Sequence, residues 1–159
     1  GWRLFGYPGP RFFSPWRKFL LKLFGAKIGC APLICGHVKV LMPWNLIVGD
    51  YVSIAENVNV YNFALVRIGN NSCVSQGVWL CTGSHDYTQK TFPLIWKPIT
   101  VNDFVWIASD SFIAPGVTIS EGSVIAARSV LTKSTDDWRI YGGNPAVFIK
   151  NREMSTNGC

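Results

Sequence analysis

Residues 101–131 read VNDFVW IASDSF IAPGVT ISEGSV IAARSV L, with an aliphatic residue opening every group of six: Val101, Ile107, Ile113, Ile119, Ile125 and Leu131. A period of six fits neither the helical repeat of 3.6 nor the two-residue alternation of a half-buried strand, and it describes a short strand plus a turn, repeated. Three such units close one triangular coil. Stacked coils bury their anchors in one continuous core, with neighbouring strands about 4.8 Å apart.

The same phase runs upstream through Ile28, Ile34 and Val40, then Val48, Ile54 and Val60, then Ile68, Val74 and Leu80. All fifteen anchors are Ile, Val or Leu, although these types fill only 39 of 159 positions, so the pattern is not chance. The residue after an anchor is mostly small, as at Gly29, Gly49, Gly69 and Ala108, and the fourth after it is small or Val, as at Val52, Ser72, Ser111 and Ser123. Such residues suit corners where backbones approach closely. The expected fold is all-β, a parallel β-helix of about five coils over residues 28–135. An arm and capping helix (1–27) precede it and a tail (136–159) follows.

Within residues 14–24, SPWRKFLLKLF reads as a helix with Ser14 as its cap, Pro15 in the first turn and Gly25 as its stop. Trp16, Phe19, Leu20 and Leu23 are expected on one face, covering the open first coil as solenoid ends require. Docking of this cationic helix to an anionic membrane is the alternative. The first two coils each end with two extra residues, Val40 being followed by Val48 and Val60 by Ile68, and the period fails outright once: Leu80 is followed by the next anchor, Val101, only 21 residues later. The inserted loop, about residues 86–100, carries Tyr87, Phe92, Pro93, Trp96 and Pro98, a composition expected of a docked functional loop.

The net charge of +6 favours anionic partners, of which nucleic acid is the weakest candidate because the basic residues form no dense stripe. The cysteines (Cys30, Cys35, Cys73, Cys81, Cys159) are odd in number and lack CxxC spacing, as expected of a reduced, cytoplasmic protein. No run is long and apolar enough for a bilayer span, no cleavable signal pattern is seen, and the chain does not begin with Met. Two histidines, His37 and His85, argue against a three-histidine zinc site of the kind a γ-type carbonic anhydrase uses, and no metal is expected. An ice-binding solenoid would need an uninterrupted Thr-rich face, which the aromatic loop denies.

The repeat resembles that of the hexapeptide-repeat acyltransferases. GSHDYT (83–88), FPLIWKPI (92–99) and YGGNPAVFIKNR (141–152) resemble the branch that O-acetylates sugars. WRLFG (2–6) and LFGAKIG (23–29) resemble the colanic-acid type most closely. The resemblance spans nearly the whole chain and implies a left-handed helix, a homotrimer, acetyl-CoA as co-substrate, and a sugar or lipid-linked glycan acceptor, at the inner face of the membrane if the helix docks there. It makes His85 the general base, since an imidazole can take a hydroxyl proton at neutral pH. It places the acceptor near Asn62, Asp86, Tyr87 and Trp96. It puts the oxyanion on the amide near Ser109, pantetheine along Ser109, Ala127 and Thr132, and the phosphates near Lys133 and Lys150. Val147 departs from the family, where a basic residue is common. Asp86, Asn62 or a backbone carbonyl could orient His85. Cys81, a possible nucleophile for a covalent route, follows an anchor where small residues recur and is expected to be structural. A non-catalytic binding solenoid and an acyltransferase acting on an amino-sugar or other non-glycan acceptor are the competing functions.

Overall fold

The computed structural model describes residues 13–154, so the expected N-terminal arm and most of the frayed C-terminus lie outside the described residues. The described residues wind as a left-handed parallel β-solenoid of about six turns with one short α-helix among them. Its first face stacks β1 (Lys27–Ile28), β4 (Leu46–Val48), β7 (Val66–Ile68), β12 (Ile99–Val101) and β15 (Thr118–Ile119). The second stacks β2 (Leu33–Ile34), β5 (Ser53–Ile54), β8 (Cys73–Val74), β13 (Trp106–Ile107) and β16 (Val124–Ile125), and the third β3 (Lys39–Val40), β6 (Asn59–Tyr61), β9 (Trp79–Cys81), β14 (Phe112–Ile113) and β17 (Val130–Leu131).

The anchors lie in register. Ile28, Val48, Ile68, Val101 and Ile119 pair in sequence up the first face. Ile34, Ile54, Val74, Ile107 and Ile125 do so on the second, and Val40, Val60, Leu80, Ile113 and Leu131 on the third. None of the fifteen is more than 9% exposed, and together they form one core. The stack continues past residue 135. β18 (Arg139–Gly143) pairs in parallel with β16, putting Tyr141 over Ile125, and then turns back into β19 (Ala146–Asn151).

Corners repeat as strictly as strands. The third residue after an anchor on the first two faces turns into the left-handed region, as at Tyr51, Asn71, Phe104, Asp110 and Arg128, with φ between 54 and 59°. A left-handed non-glycine residue costs about 1–2 kcal/mol. Each of these corners meets that cost with a bond to the preceding coil, since Tyr51, Asn71, Phe104, Asp110 and Arg128 donate their N–H groups to the carbonyls of Cys30, Asp50, Asn70, Gln76 and Ser109. Between the first and second faces an Asx ladder adds to this. Cys30 N–H donates to Asp50 Oδ1 (2.6 Å), Asp50 N–H to Asn70 Oδ1 (2.8 Å), and Asn70 N–H to Asp103 Oδ1 (2.7 Å). Inside, the buried hydroxyls of Ser72, Ser111 and Ser123 donate to the carbonyls of Asn102, Ala126 and Asp136.

The helix α1 (Ser14–Leu23) does close the first coil, but it presents a different face from the one expected. Arg17, Leu20 and Leu21 are buried, whereas Trp16, Phe19 and Leu23 are exposed. Ser14 does not cap the helix: its Oγ accepts the N–H of Ile34 (2.9 Å), and Arg17 Nη1 donates to the Ile34 carbonyl (3.1 Å). The physical reason is the open strand edge. An all-apolar face would bury the polar backbone of Ile34 without partners.

The Asx ladder yields a stability prediction. A Cβ on Gly49 would meet Asn70 Oδ1 and, at 3.0–3.1 Å, backbone atoms of Asn70 and Gly69, none of which can move freely. Gly49→Ala should therefore cost about 1–3 kcal/mol, read as a lower guanidinium midpoint; an unchanged midpoint would show that the coils can part.

Candidate active site

The insertion after β9 leaves the solenoid at the third corner and folds as a hairpin of β10 (Gly83–His85) and β11 (Leu94–Trp96), pairing Gly83 with Trp96, Ser84 with Ile95, and His85 with Leu94. Thr82 roots it. Its side chain is fully buried, its Oγ1 donates to the Tyr61 carbonyl (3.0 Å) and accepts the Ala64 N–H (3.1 Å), and its own carbonyl accepts the Lys97 N–H (2.9 Å).

This register brings His85 Nδ1 to 2.6 Å from the carbonyl oxygen of Phe92. A carbonyl can only accept, so Nδ1 carries the proton and Nε2 is left with its lone pair outward. The residue is exposed, and its basic nitrogen can take a proton from a bound hydroxyl. Of the three groups that could have oriented the ring, the backbone carbonyl does so. Asp86 instead turns its carboxylate to the Thr88 N–H (3.0 Å), the Thr88 hydroxyl (2.6 Å) and Gln89 Nε2 (2.9 Å), closing the hairpin tip. Those bonds, the Thr88 hydroxyl first, hold its carboxyl below the usual Asp range.

Asn62 is fully buried and lies one coil below, at the same corner. Its Oδ1 accepts the Met42 N–H (2.9 Å) and its Nδ2 donates to the carbonyls of Met42 (2.7 Å) and Asn45 (3.0 Å). The amide thus ties two coils together. Tyr87 is 84% exposed and Trp96 55%, and Trp96 helps line a concavity of about 200 Å³ with Ser84, Ile95, Lys97 and Pro115. Cys81 is buried, its thiol bonds the Gly83 carbonyl, and burial pushes its pKa up, as a structural residue requires. His37 is an exposed corner residue with φ 59°.

Ser109 and Ala127 stack at the corner between the second and third faces, each two residues past an anchor (Ile107, Ile125). At the matching position between the first and second faces the Asx ladder occupies the N–H groups. Here no backbone or side-chain acceptor meets the N–H of Ser109 or Ala127 among the described residues. Two free amides in line are suited to an oxyanion or to the amides of an extended arm. Thr132 and Lys133 occupy the third corner, two coils above the hairpin root, and Lys150 lies on β19. Both lysines are exposed without an ion pair among the described residues, which fits a phosphate contact. Ser109 precedes the third face and His85 follows it, so one chain sets them at opposite edges of that face. No group of three or more His, Cys, Asp or Glu that could hold a metal ion occurs among the described residues.

The carbonyl of Phe92 had no signature in the sequence, because its role comes from hairpin register and not from side-chain chemistry. The Asx ladder did have one, in Asp50, Asn70 and Asp103 standing two residues past successive first-face anchors.

No protein-family profile matches the chain. It is 45% identical over 143 residues to a protein named as the colanic acid biosynthesis acetyltransferase WcaF of Escherichia coli K12, covering 90% of this chain and 79% of that one. The crystal structure of a hexapeptide-repeat acetyltransferase from Vibrio cholerae, complexed with acetyl coenzyme A, superposes with a TM-score of 0.83 at 27% identity, covering 88% of this chain and 78% of that one. A maltose O-acetyltransferase from Clostridium difficile 630 does so with a TM-score of 0.81 at 25% identity, covering 96% and 82%.

Asp86 gives the site a pH dependence. Its pKa is depressed in the folded hairpin, so the stabilisation is present above the ordinary carboxylate range and is lost as pH falls through the folded value. Amide exchange in residues 83–96, referenced to the solenoid, should speed up in acid; Asp86→Ala should show the faster exchange already at neutral pH with global stability unchanged. Equal exchange in both proteins would show that the tip bonds do not hold the hairpin.

Proposed function

The chain belongs to the hexapeptide-repeat acetyltransferases, in the colanic acid biosynthesis group, and from that membership we propose that it moves an acetyl group from acetyl-CoA to a sugar hydroxyl in surface-glycan synthesis. Acyl transfer with acetyl-CoA as co-substrate follows from the family itself. The acceptor class, the base and the assembly are our reading. One observation carries it: the Nδ1 bond to Phe92 leaves His85 Nε2 as an exposed acceptor on an aromatic hairpin.

In this mechanism His85 Nε2 accepts the proton of the sugar hydroxyl as the oxygen attacks the thioester carbonyl. The tetrahedral oxyanion is held by the Ser109 N–H, whose lack of an internal partner supports the role. On collapse the imidazolium returns its proton to the departing thiolate of coenzyme A, so no covalent acyl-enzyme forms. The Phe92 carbonyl keeps the ring in one tautomer. Tyr87 and Trp96 offer ring surfaces to the sugar. Ala127 and Thr132 border the path of the pantetheine arm, and Lys133 and Lys150 face the phosphates.

The two edges of the third face bear on assembly. His85 and Ser109 would meet if the edge of one copy faced the opposite edge of the next, as a closed threefold ring allows. We therefore take the working form to be a homotrimer, with the hairpin of one copy reaching its neighbour.

With a panel of sugar acceptors, thiol release from acetyl-CoA should be acceptor-dependent and should fall by about 10² or more in His85→Ala. Full activity in that variant would remove His85 from the chemistry, and strictly amine-dependent turnover would replace the sugar hydroxyl with an amino-sugar.

A further inference from the structure

The face of α1 turned away from the solenoid has no function in the mechanism above. Phe13, Trp16, Phe19, Leu23 and Phe24 are all 43–66% exposed along it, and Trp16 and Phe19 stack with ring centroids 5.6 Å apart. Trp44, 61% exposed, packs its Cβ beside Gly25 just past the end of the helix and extends the patch. Solvating that many adjacent aromatic groups is unfavourable, and such patches mark surfaces that meet something. The helix has two apolar sides: one closes the first coil through Leu20 and Leu21, and the other is about half exposed.

Charge identifies the occupant. None of the nine acidic residues precedes Asp50, whereas seven of the fifteen basic ones do, so the first 49 positions carry +7 and the remaining 110 carry −1. Of the seven, Arg3 and Arg11 lie outside the described residues and Arg17 is buried, and Lys18, Lys22, Lys27 and Lys39 give the α1 end of the solenoid its positive charge. Lys18 and Lys22 follow the aromatic stripe round the helix, and Lys27 is exposed just beyond it on β1. Aromatic rings bordered by lysines match the interface of an anionic bilayer, where rings enter the headgroup layer and ammonium groups meet lipid phosphates. At ten residues α1 lies on a surface; no helix among the described residues is long and apolar enough to cross a membrane.

We propose that the exposed face of α1 docks the protein on an anionic phospholipid surface through Trp16, Phe19 and Leu23, with Lys18, Lys22 and Lys27 on the lipid phosphates. This does not rest on the acceptor or on His85, and its test reads binding, not turnover. The whole chain is floated with vesicles of neutral phosphatidylcholine and with vesicles containing about one-third phosphatidylglycerol. Binding to the anionic vesicles is expected, weak on the neutral ones, and reduced by added salt. Lys18→Glu with Lys22→Glu should weaken it by at least about tenfold, given about 1 kcal/mol per basic residue near such a surface. Trp16→Ala with Phe19→Ala should weaken it comparably. Both double variants should keep the melting temperature and the acetyl transfer to a soluble acceptor of the wild type. Failure of the wild type to bind anionic vesicles, or unchanged binding by both variants, overturns the proposal. So does light scattering in which the wild type forms a larger assembly that Trp16→Ala with Phe19→Ala dissolves, because the face would then belong to a second copy.

Discussion

Everything in this molecule depends on the in-register stacking of one aliphatic side chain every six residues. Parallel strands of two or three residues are too short to hold together alone, and their backbone bonds become effective only when the coil beneath supplies a matching strand at the same height. Register is therefore enforced by burial: a slip of one residue would turn the anchors outward and bring polar neighbours into the core. Because the register repeats, so does each corner. The same three positions round the triangle recur in every coil, and a residue's distance from its anchor fixes its place on the outer surface.

That regularity makes the departures informative. At one corner Asp50, Asn70 and Asp103 occupy the free amides of successive coils, and the corner is closed to ligands. At the next, Ser109 and Ala127 leave theirs open. At the third the chain first inserts a pair of residues, which Asn62 binds to the coil below, and then a hairpin that carries His85. The proposed base thus stands where the repeat fails. A rigid scaffold supplies positions, and an excursion from it supplies an exposed imidazole whose tautomer is set by a bond within the excursion itself.

The anchors and the insertion were legible in the sequence because each is a matter of spacing, and His85 could be singled out there by its side-chain type. The orientation of α1 was not. Its apolar residues satisfy two overlapping stripes that share Leu20, and periodicity cannot choose between them. The choice is made by the bare N–H and carbonyl of Ile34, which call Ser14 and Arg17 inward. Asn62 misled for a similar reason: a corner Asn beside an aromatic residue reads alike whether its amide faces a ligand or the neighbouring coil. The partner of His85 was hidden because any residue at position 92 presents the same carbonyl.

The central claim is that one chain holds two incomplete halves of the site, His85 at one edge of the third face and Ser109 with Ala127 at the other. Mixing two inactive variants tests it directly. His85→Ala lacks the base, and Ala127→Trp fills the path beside the free amides; each is first confirmed by light scattering to keep the wild-type assembly. After the two are unfolded and refolded together, sites shared between copies would regain activity at about a quarter of them, where an intact half of each kind meets. Activity no greater than that of the two variants refolded apart would contradict the account and place a whole site within a single chain.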